Sequence, residues 1–168
     1  MIKFLVMDVD GTLTDGKIYM GNDGEVFKAF DVKDGCGIKD ILPTANDNEG
    51  IIPIIITARK SQILVNRCKE LNLKELYQGI RNKKEKLDAI LEKYSEMDHE
   101  NYNYSHVAYI GDDILDLQCM NHINAAGGIV GCPRDAVKDV LKVSSFISEH
   151  DGGNGAVREF IEWIIKMN

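Results

Sequence analysis

Three short apolar runs stand out along the chain, at residues 2–7, 51–56 and 106–110, each followed by polar or acidic residues. They are brief and continuous rather than alternating, which is the pattern of strands buried on both faces of a parallel sheet. Two weaker runs, 123–126 and 145–147, are further strand candidates. Helical patterns lie between them. Ser61 stands where a helix cap belongs, ahead of a segment running to about residue 71 with Ile63, Leu64, Arg67 and Cys68 at helical spacing. Residues 83–94 put Leu87, Ile90 and Leu91 on one face and charges on the other. Val157, Phe160, Ile161, Ile164 and Ile165 form a last apolar stripe. Strand, helix, strand in repetition implies right-handed crossovers and helices on both faces of the sheet. The expected fold is α/β: a Rossmann-like three-layer sandwich with a central parallel sheet.

One segment breaks the alternation. Residues 17–20 and 25–30 are strand-like and flank Gly21-Asn22-Asp23-Gly24, which reads as a β-hairpin inserted just after the first strand, with a four-residue turn. Residues 43–50 and 95–104 are polar and read as long exposed loops. The 168 residues make one domain, 1–168, with the hairpin at about 17–30 as its only insertion.

Charge and composition narrow the function classes. Lys and Arg number 20 against 27 Asp and Glu, a net charge of -7, which argues against a general nucleic-acid binder that must neutralise phosphates. A few local cations still suffice for one small anionic substrate. No apolar run approaches a membrane span, and the N-terminus meets Asp8 too soon for a signal-peptide core. Cys36, Cys68, Cys119 and Cys132 are scattered and read as reduced thiols, and the four histidines show no zinc-ligand spacing. The expected location is the cytoplasm, with neither a nucleic-acid nor a membrane partner.

Candidate chemistry gathers at the carboxyl ends of the apolar runs, where open parallel sheets bind ligands. The first run ends in Asp8-Val9-Asp10-Gly11-Thr12, the second in Thr57-Ala58-Arg59, the third in Gly111-Asp112-Asp113, with Asp116 following; Lys83 opens a helix between the last two. Asp8 and Asp10 fall on one side if the extended backbone continues. Two close carboxylates repel, and a divalent cation keeps both ionised. With Asp112 as a third ligand, an all-oxygen set suits Mg²⁺. The competing reading of any single Asp is a cap for the turn that follows it.

These residues resemble the haloacid dehalogenase (HAD) superfamily of phosphotransferases: DVDGT at 8–12, Thr57, Lys83 and GDDILD at 111–116 match its four motifs in order. Within it, residues 15–38, TARK at 57–60, LYQG at 76–79 and GGNGAVREF at 152–160 resemble the capless 3-deoxy-D-manno-octulosonate 8-phosphate (KDO 8-phosphate) phosphatases. The resemblance implies Asp8 as nucleophile, Asp10 as general acid and base, and Thr57 and Lys83 on the phosphate. It implies Mg²⁺ on Asp8, the Asp10 main-chain carbonyl and Asp112, with Asp113 and Asp116 supporting the loop. It places Asp31, Val32, Lys33, Asp34, Gly35, Lys39, Arg59 and Arg67 along the sugar acid, with Asp10 and Lys83 also touching substrate. It further implies a homotetramer built through the hairpin, with no large cap. Lys39 and Asn154 stand where the octulosonate enzymes carry Arg, so a nonulosonic (sialic-type) acid 9-phosphate is the alternative substrate. Two other readings stay open: a receiver-like domain that keeps its phosphoaspartate as a signal, and a non-catalytic oligomerisation module.

Overall fold

The computed structural model describes residues 1–167. Six strands form one wholly parallel sheet: β1 (Phe4–Met7), β4 (Ile52–Thr57), β5 (Glu75–Gln78), β6 (Val107–Ile110), β7 (Ile129–Cys132) and β8 (Phe146–Ile147). Their order is β5-β4-β1-β6-β7-β8. The chain builds outward from β1 to β5, then crosses to β6 and builds the other way. The strand order therefore reverses between β1 and β6, and a crevice opens there beyond their carboxyl ends. Register pairs Met7 with both Ile55 and Ile110, so the three central strands end level with one another.

Alternate residues of the central strands feed two cores. Leu5, Met7, Ile55, Ala108 and Ile110 pack with α3 (Gln62–Glu70) and α7 (Ala156–Met167). Phe4, Val6, Ile54, Ile56 and Tyr109 pack with α4 (Lys83–Asp98), α5 (Leu117–Ala125) and α6 (Lys138–Val143). This is the expected three-layer α/β sandwich. The four cysteines are unpaired, and no helix of the described residues is long and apolar enough to cross a membrane.

The hairpin pairs β2 (Tyr19–Gly21) with β3 (Gly24–Phe27), antiparallel. Gly21 faces Gly24, so the turn is Asn22-Asp23 and shorter than the four-residue turn expected; Gly24 supplies a φ of 115°. After the hairpin come α1 (Val32–Cys36), a wider turn at Gly37–Ile41, and the short α2 (Ala45–Asn48), within which Asn46 and Asp47 take positive φ.

Several boundaries differ from the sequence reading. Residues 123–126 belong to the end of α5 and the turn after it, not to a strand: Cys119, Met120 and Ile123 are buried at helical spacing, and the strand proper starts after Gly127-Gly128. Leu76, Tyr77 and Gln78 of LYQG lie in β5, whose four residues, Glu75–Gln78, are all half-buried and so lack a continuous apolar signal. Helix α4 runs on to Asp98 and ends at His99 in the left-handed region, which shortens the expected 95–104 loop.

Candidate active site

The loop that carries Asp8 and Asp10 follows β1 directly. The extended backbone stops at Met7, and the amides of Thr12, Leu13 and Thr14 all donate back to the Val9 carbonyl at 2.9–3.2 Å. Gly11 takes φ 100°, and a Cβ there would lie 2.1 Å from Asp112 Oδ2. Only glycine lets the β1 and β6 loops come this close. The bend also separates the two carboxylates that an extended chain would have aligned. Asp8 turns toward Lys83, and Asp10 turns toward the hairpin.

Asp8, Asp112 and Asp116 present oxygens within 4.8 Å of one another. Lys83, buried at the start of α4, donates to Asp8 Oδ1 at 2.6 Å and Asp116 Oδ1 at 2.7 Å. Asp116 also accepts from the Tyr109 hydroxyl at 2.7 Å and from the amides of Asp112 and Asp113 at 3.0 and 3.1 Å. With four donors its carboxylate is fully occupied and acts as the organiser of the loop. Asp112 accepts from Thr12 Oγ1 at 2.9 Å and keeps its other oxygen free of hydrogen bonds to the chain.

The electrostatics suit a cation. Burial, then repulsion from Asp116, pushes Asp8 up to about 7 despite Lys83. Burial, then the charges of Asp8 and Asp116, pushes Asp112 up to about 8. Burial alone would lower Lys83, but its two carboxylates outweigh that and hold it above its usual range. Two buried carboxylates and the half-buried Asp112 against one ammonium leave negative charge uncompensated. A hard divalent ion on Asp8 and Asp112 would relieve it, so the residues present fit a Mg²⁺ site. Thr57 is buried at the end of β4, its carbonyl held by the Ile80 amide at 3.0 Å.

Asp10 belongs to a second group. Its Oδ1 is in contact with Lys28 Nζ, and Arg59 Nε stands 4.0 Å from Oδ2. Lys28 also reaches Glu25 at 2.9 Å, and Glu25 accepts from Ser61 Oγ at 2.7 Å. Ser61 occupies the cap position of α3, yet its hydroxyl serves Glu25 instead of the helix.

A third group surrounds α1. Asp31 caps that helix by accepting from the Lys33 amide at 2.6 Å; Val32 and Lys33 are exposed. Arg67 lies over the Phe30 ring, donates to the Asp31 carbonyl at 3.4 Å, and presses so close that a Cβ on Gly35 would lie 2.3 Å from its Nη2. Lys39 donates to the Glu70 carbonyl at 3.2 Å. Asp34 is buried. Its Oδ1 accepts from the Arg158 amide at 2.8 Å and so ties α1 to the start of α7. Burial is the main cause of its rise to about 6. Asp34 Oδ2 and Arg67 Nε are buried without a partner and line one small cavity. They offer an acceptor and a donor to a polar group entering beside α1.

The tail closes over the loop that follows β1. Gly153 donates to the Thr12 carbonyl at 2.9 Å, and a Cβ on Gly152 would lie 1.9 Å from the Gly11 oxygen. Asn154 is exposed, and the Arg158 side chain pairs with Glu162 at 2.6 Å.

Sequence reasoning missed Tyr109, Glu25 and Lys28. Tyr109 left a signal: a hydroxyl inside an otherwise apolar buried strand needs a partner. Lys28 and Glu25 left none, because polar residues on a hairpin ordinarily face water.

An aspartate-bearing loop after β1, a threonine at the end of β4, a lysine opening α4 and acidic residues after β6, all at one switch point, define a phosphatase of the HAD superfamily. A solved structure assigned to that superfamily, subfamily III A, from Legionella pneumophila superposes with TM-score 0.85 at 33% identity over 98% of this chain and 82% of that one. No family model matches the chain. A 3-deoxy-D-manno-octulosonate 8-phosphate phosphatase from Salmonella typhi is 39% identical over 164 residues, 98% of this chain and 79% of that protein. The crystal structure of the Moraxella catarrhalis enzyme of the same name, in complex with magnesium ion, phosphate ion and KDO, superposes with TM-score 0.84 at 37% identity, covering 98% of this chain and 86% of that one. The chain belongs to the KDO 8-phosphate phosphatase family, a group of phosphoric monoester hydrolases. The acidic 111–116 segment is integral to the site, which sets aside the receiver-domain reading.

Proposed function

We propose that this chain hydrolyses 3-deoxy-D-manno-octulosonate 8-phosphate with Mg²⁺, through an aspartyl-phosphate on Asp8. The observation that carries the reading is the convergence of Asp8, Lys83 and Asp112 at the β1/β6 switch point. Asp8 attacks phosphorus, and the bond to the sugar oxygen breaks as the Asp8–phosphorus bond forms. Asp10 gives a proton to the leaving oxygen and later takes one from the water that cleaves the acyl phosphate. Thr57 donates a hydrogen bond to the phosphate. Lys83 keeps Asp8 oriented and adds positive charge beside the phosphoryl group. Mg²⁺, held by the Asp8 and Asp112 carboxylates and the Asp10 carbonyl, would neutralise charge between nucleophile and phosphate.

The sugar acid is assigned to the surface bounded by residues 31–35, Lys39, Arg59 and Arg67. The exposed Asn154 favours one second reading, a nonulosonic acid 9-phosphate, because a short neutral side chain replaces a cation in the tail. The deciding experiment compares octulosonate 8-phosphate, nonulosonate 9-phosphates and hexose phosphates. The first is expected to give the highest kcat/KM; preference for a nine-carbon acid moves the substrate, and no release from any of them leaves a non-catalytic module. Chelation is expected to abolish turnover and Mg²⁺ to restore it; turnover that persists in excess chelator contradicts the metal assignment.

The reading takes residues 1–168 as one cytoplasmic catalytic domain in which the hairpin replaces a cap. Ile18, Met20, Val26 and Phe27 expose large apolar surface on that hairpin. A lone two-stranded hairpin with apolar sides is marginal in water, so copies are expected to pair it in a homotetramer. Met20→Asp/Val26→Asp is expected to reduce the particle mass measured by light scattering. An unchanged tetramer mass would locate the interface elsewhere, and a monomeric wild type would remove it.

A further inference from the structure

Two lysines are buried among the described residues, Lys83 in the carboxylate cluster and Lys28 on the hairpin side. Lys28 follows β3 directly, and its side chain is 2% exposed. An ammonium so placed costs several kcal/mol unless paired (on the order of the penalty for desolvating one ion). Its partners are Asp10 and Glu25. Glu25 is itself fixed from the body of the domain: Ser61 Oγ donates to it at 2.7 Å, Arg59 stands 3.5 Å away, and Gln78 on β5 holds the Ser61 amide at 2.7 Å. A continuous chain of polar contacts thus runs from the sheet edge, through the hairpin, to the carboxyl of Asp10.

We infer that Lys28 is a positioning residue for proton transfer: anchored by Glu25, it holds the Asp10 carboxyl where the leaving oxygen of the phosphate ester receives its proton. The inference rests on the reading of Asp10 as the general acid. Asp10 sits on a sharply bent loop before Gly11, and nothing in the Asp8–Lys83 cluster orients its side chain. Proton transfer requires a heavy-atom approach of roughly 2.6–3.2 Å, so an unrestrained carboxyl spends most of its time out of reach. In the first half-reaction the Asp8–phosphorus bond forms and the phosphorus–ester oxygen bond breaks. The Asp10 proton moves to that oxygen, and the new Asp10 carboxylate stays on Lys28. The hairpin is then part of the chemistry as well as a cover over it.

The test exploits leaving groups. An aryl ester such as p-nitrophenyl phosphate departs without a proton, whereas octulosonate 8-phosphate and glucose 6-phosphate, both alkyl esters, do not. Because hydrolysis of the acyl phosphate is common to all esters and also uses Asp10, the rate read is release of the leaving group in the first turnover: Asp10→Asn is expected to lower it on the alkyl esters by ~10²–10⁴-fold and to affect the aryl ester far less. Lys28→Met keeps the stem and removes the charge. It is expected to show the same selectivity at smaller size, with first-turnover release from the alkyl esters slower by ~10–100-fold and the half-saturating substrate concentration nearly unchanged. Because that variant leaves the half-exposed Arg59 as the one cation facing both Glu25 and Asp10, Lys28→Met/Glu25→Gln is measured beside it and should discriminate in the same way. If Asp10→Asn discriminates and both Lys28 variants slow aryl and alkyl esters equally, or neither, the role of Lys28 is overturned. If Asp10→Asn itself fails to discriminate, the acid assignment is what falls, and the inference with it.

Discussion

Asp8→Asn is expected to eliminate phosphate release, a fall of ~10⁴-fold or more as for loss of a covalent nucleophile, while the protein stays folded. The amide nearly matches the carboxylate in size but does not attack phosphorus. It also removes one of the charges that burial and Asp116 make unfavourable at this position. Lys83 keeps Asp116 as a partner at 2.7 Å, so the substitution does not strand the ammonium. Stability has a definite pH signature. The folded-state pKa of Asp8 lies at about 7, above the ordinary carboxylate value of 3.8. Its stabilising contribution is therefore complete below about pH 4 and is lost as pH rises through 7. In metal-free protein the variant should match the wild type in acid and melt above it near neutrality. Turnover within tenfold of wild type would contradict the nucleophile assignment, and a melting temperature below wild type at neutral pH would contradict the electrostatic account.

Lys83→Met is expected to be the most damaging change to stability. The ammonium is the sole cation bonded to Asp8 and Asp116 among the described residues, and its side chain is 2% exposed. Removing it leaves two buried carboxylates facing each other, at a cost of about 3–5 kcal/mol. In a domain of this size each kcal/mol moves the melting temperature by roughly 2–4 °C, so a fall of ~6–20 °C is expected by calorimetry without added metal. Turnover should drop by ~10²–10³-fold with the loss of charge beside the phosphoryl group. A melting temperature within about 2 °C of wild type would mean that Lys83 does not carry the compensation assigned to it.

Much of this architecture could be read locally. The three central strands appear as apolar runs because β1, β4 and β6 are buried on both faces. Strand β5 was hidden because an edge strand is only half covered and Glu75, Tyr77 and Gln78 interrupt its pattern. Residues 123–126 misled for the opposite reason: Ile123 belongs to a buried helical face, and a short apolar window carries no period of its own. Within the site, Asp8, Asp112, Thr57 and Lys83 could be found because each stands at the end of a strand or the start of a helix. The alignment expected of Asp8 and Asp10 failed, since an extended backbone was assumed where Gly11 turns the chain.

By itself the sequence determined the layer order, the strand ends that carry functional groups, and the acidic, oxygen-rich character of the centre. These follow from the lengths of apolar runs and the residues next to them, which are short-range properties. The tertiary structure alone decided who meets whom. Lys83 joins Asp8 across 75 positions, Thr12 joins Asp112 across 100, and Lys28 leaves the hairpin surface to bury itself against Asp10. Such pairings depend on where crossovers set down their helices and how tightly loops approach. Packing of the whole chain fixes both, and no local pattern encodes them.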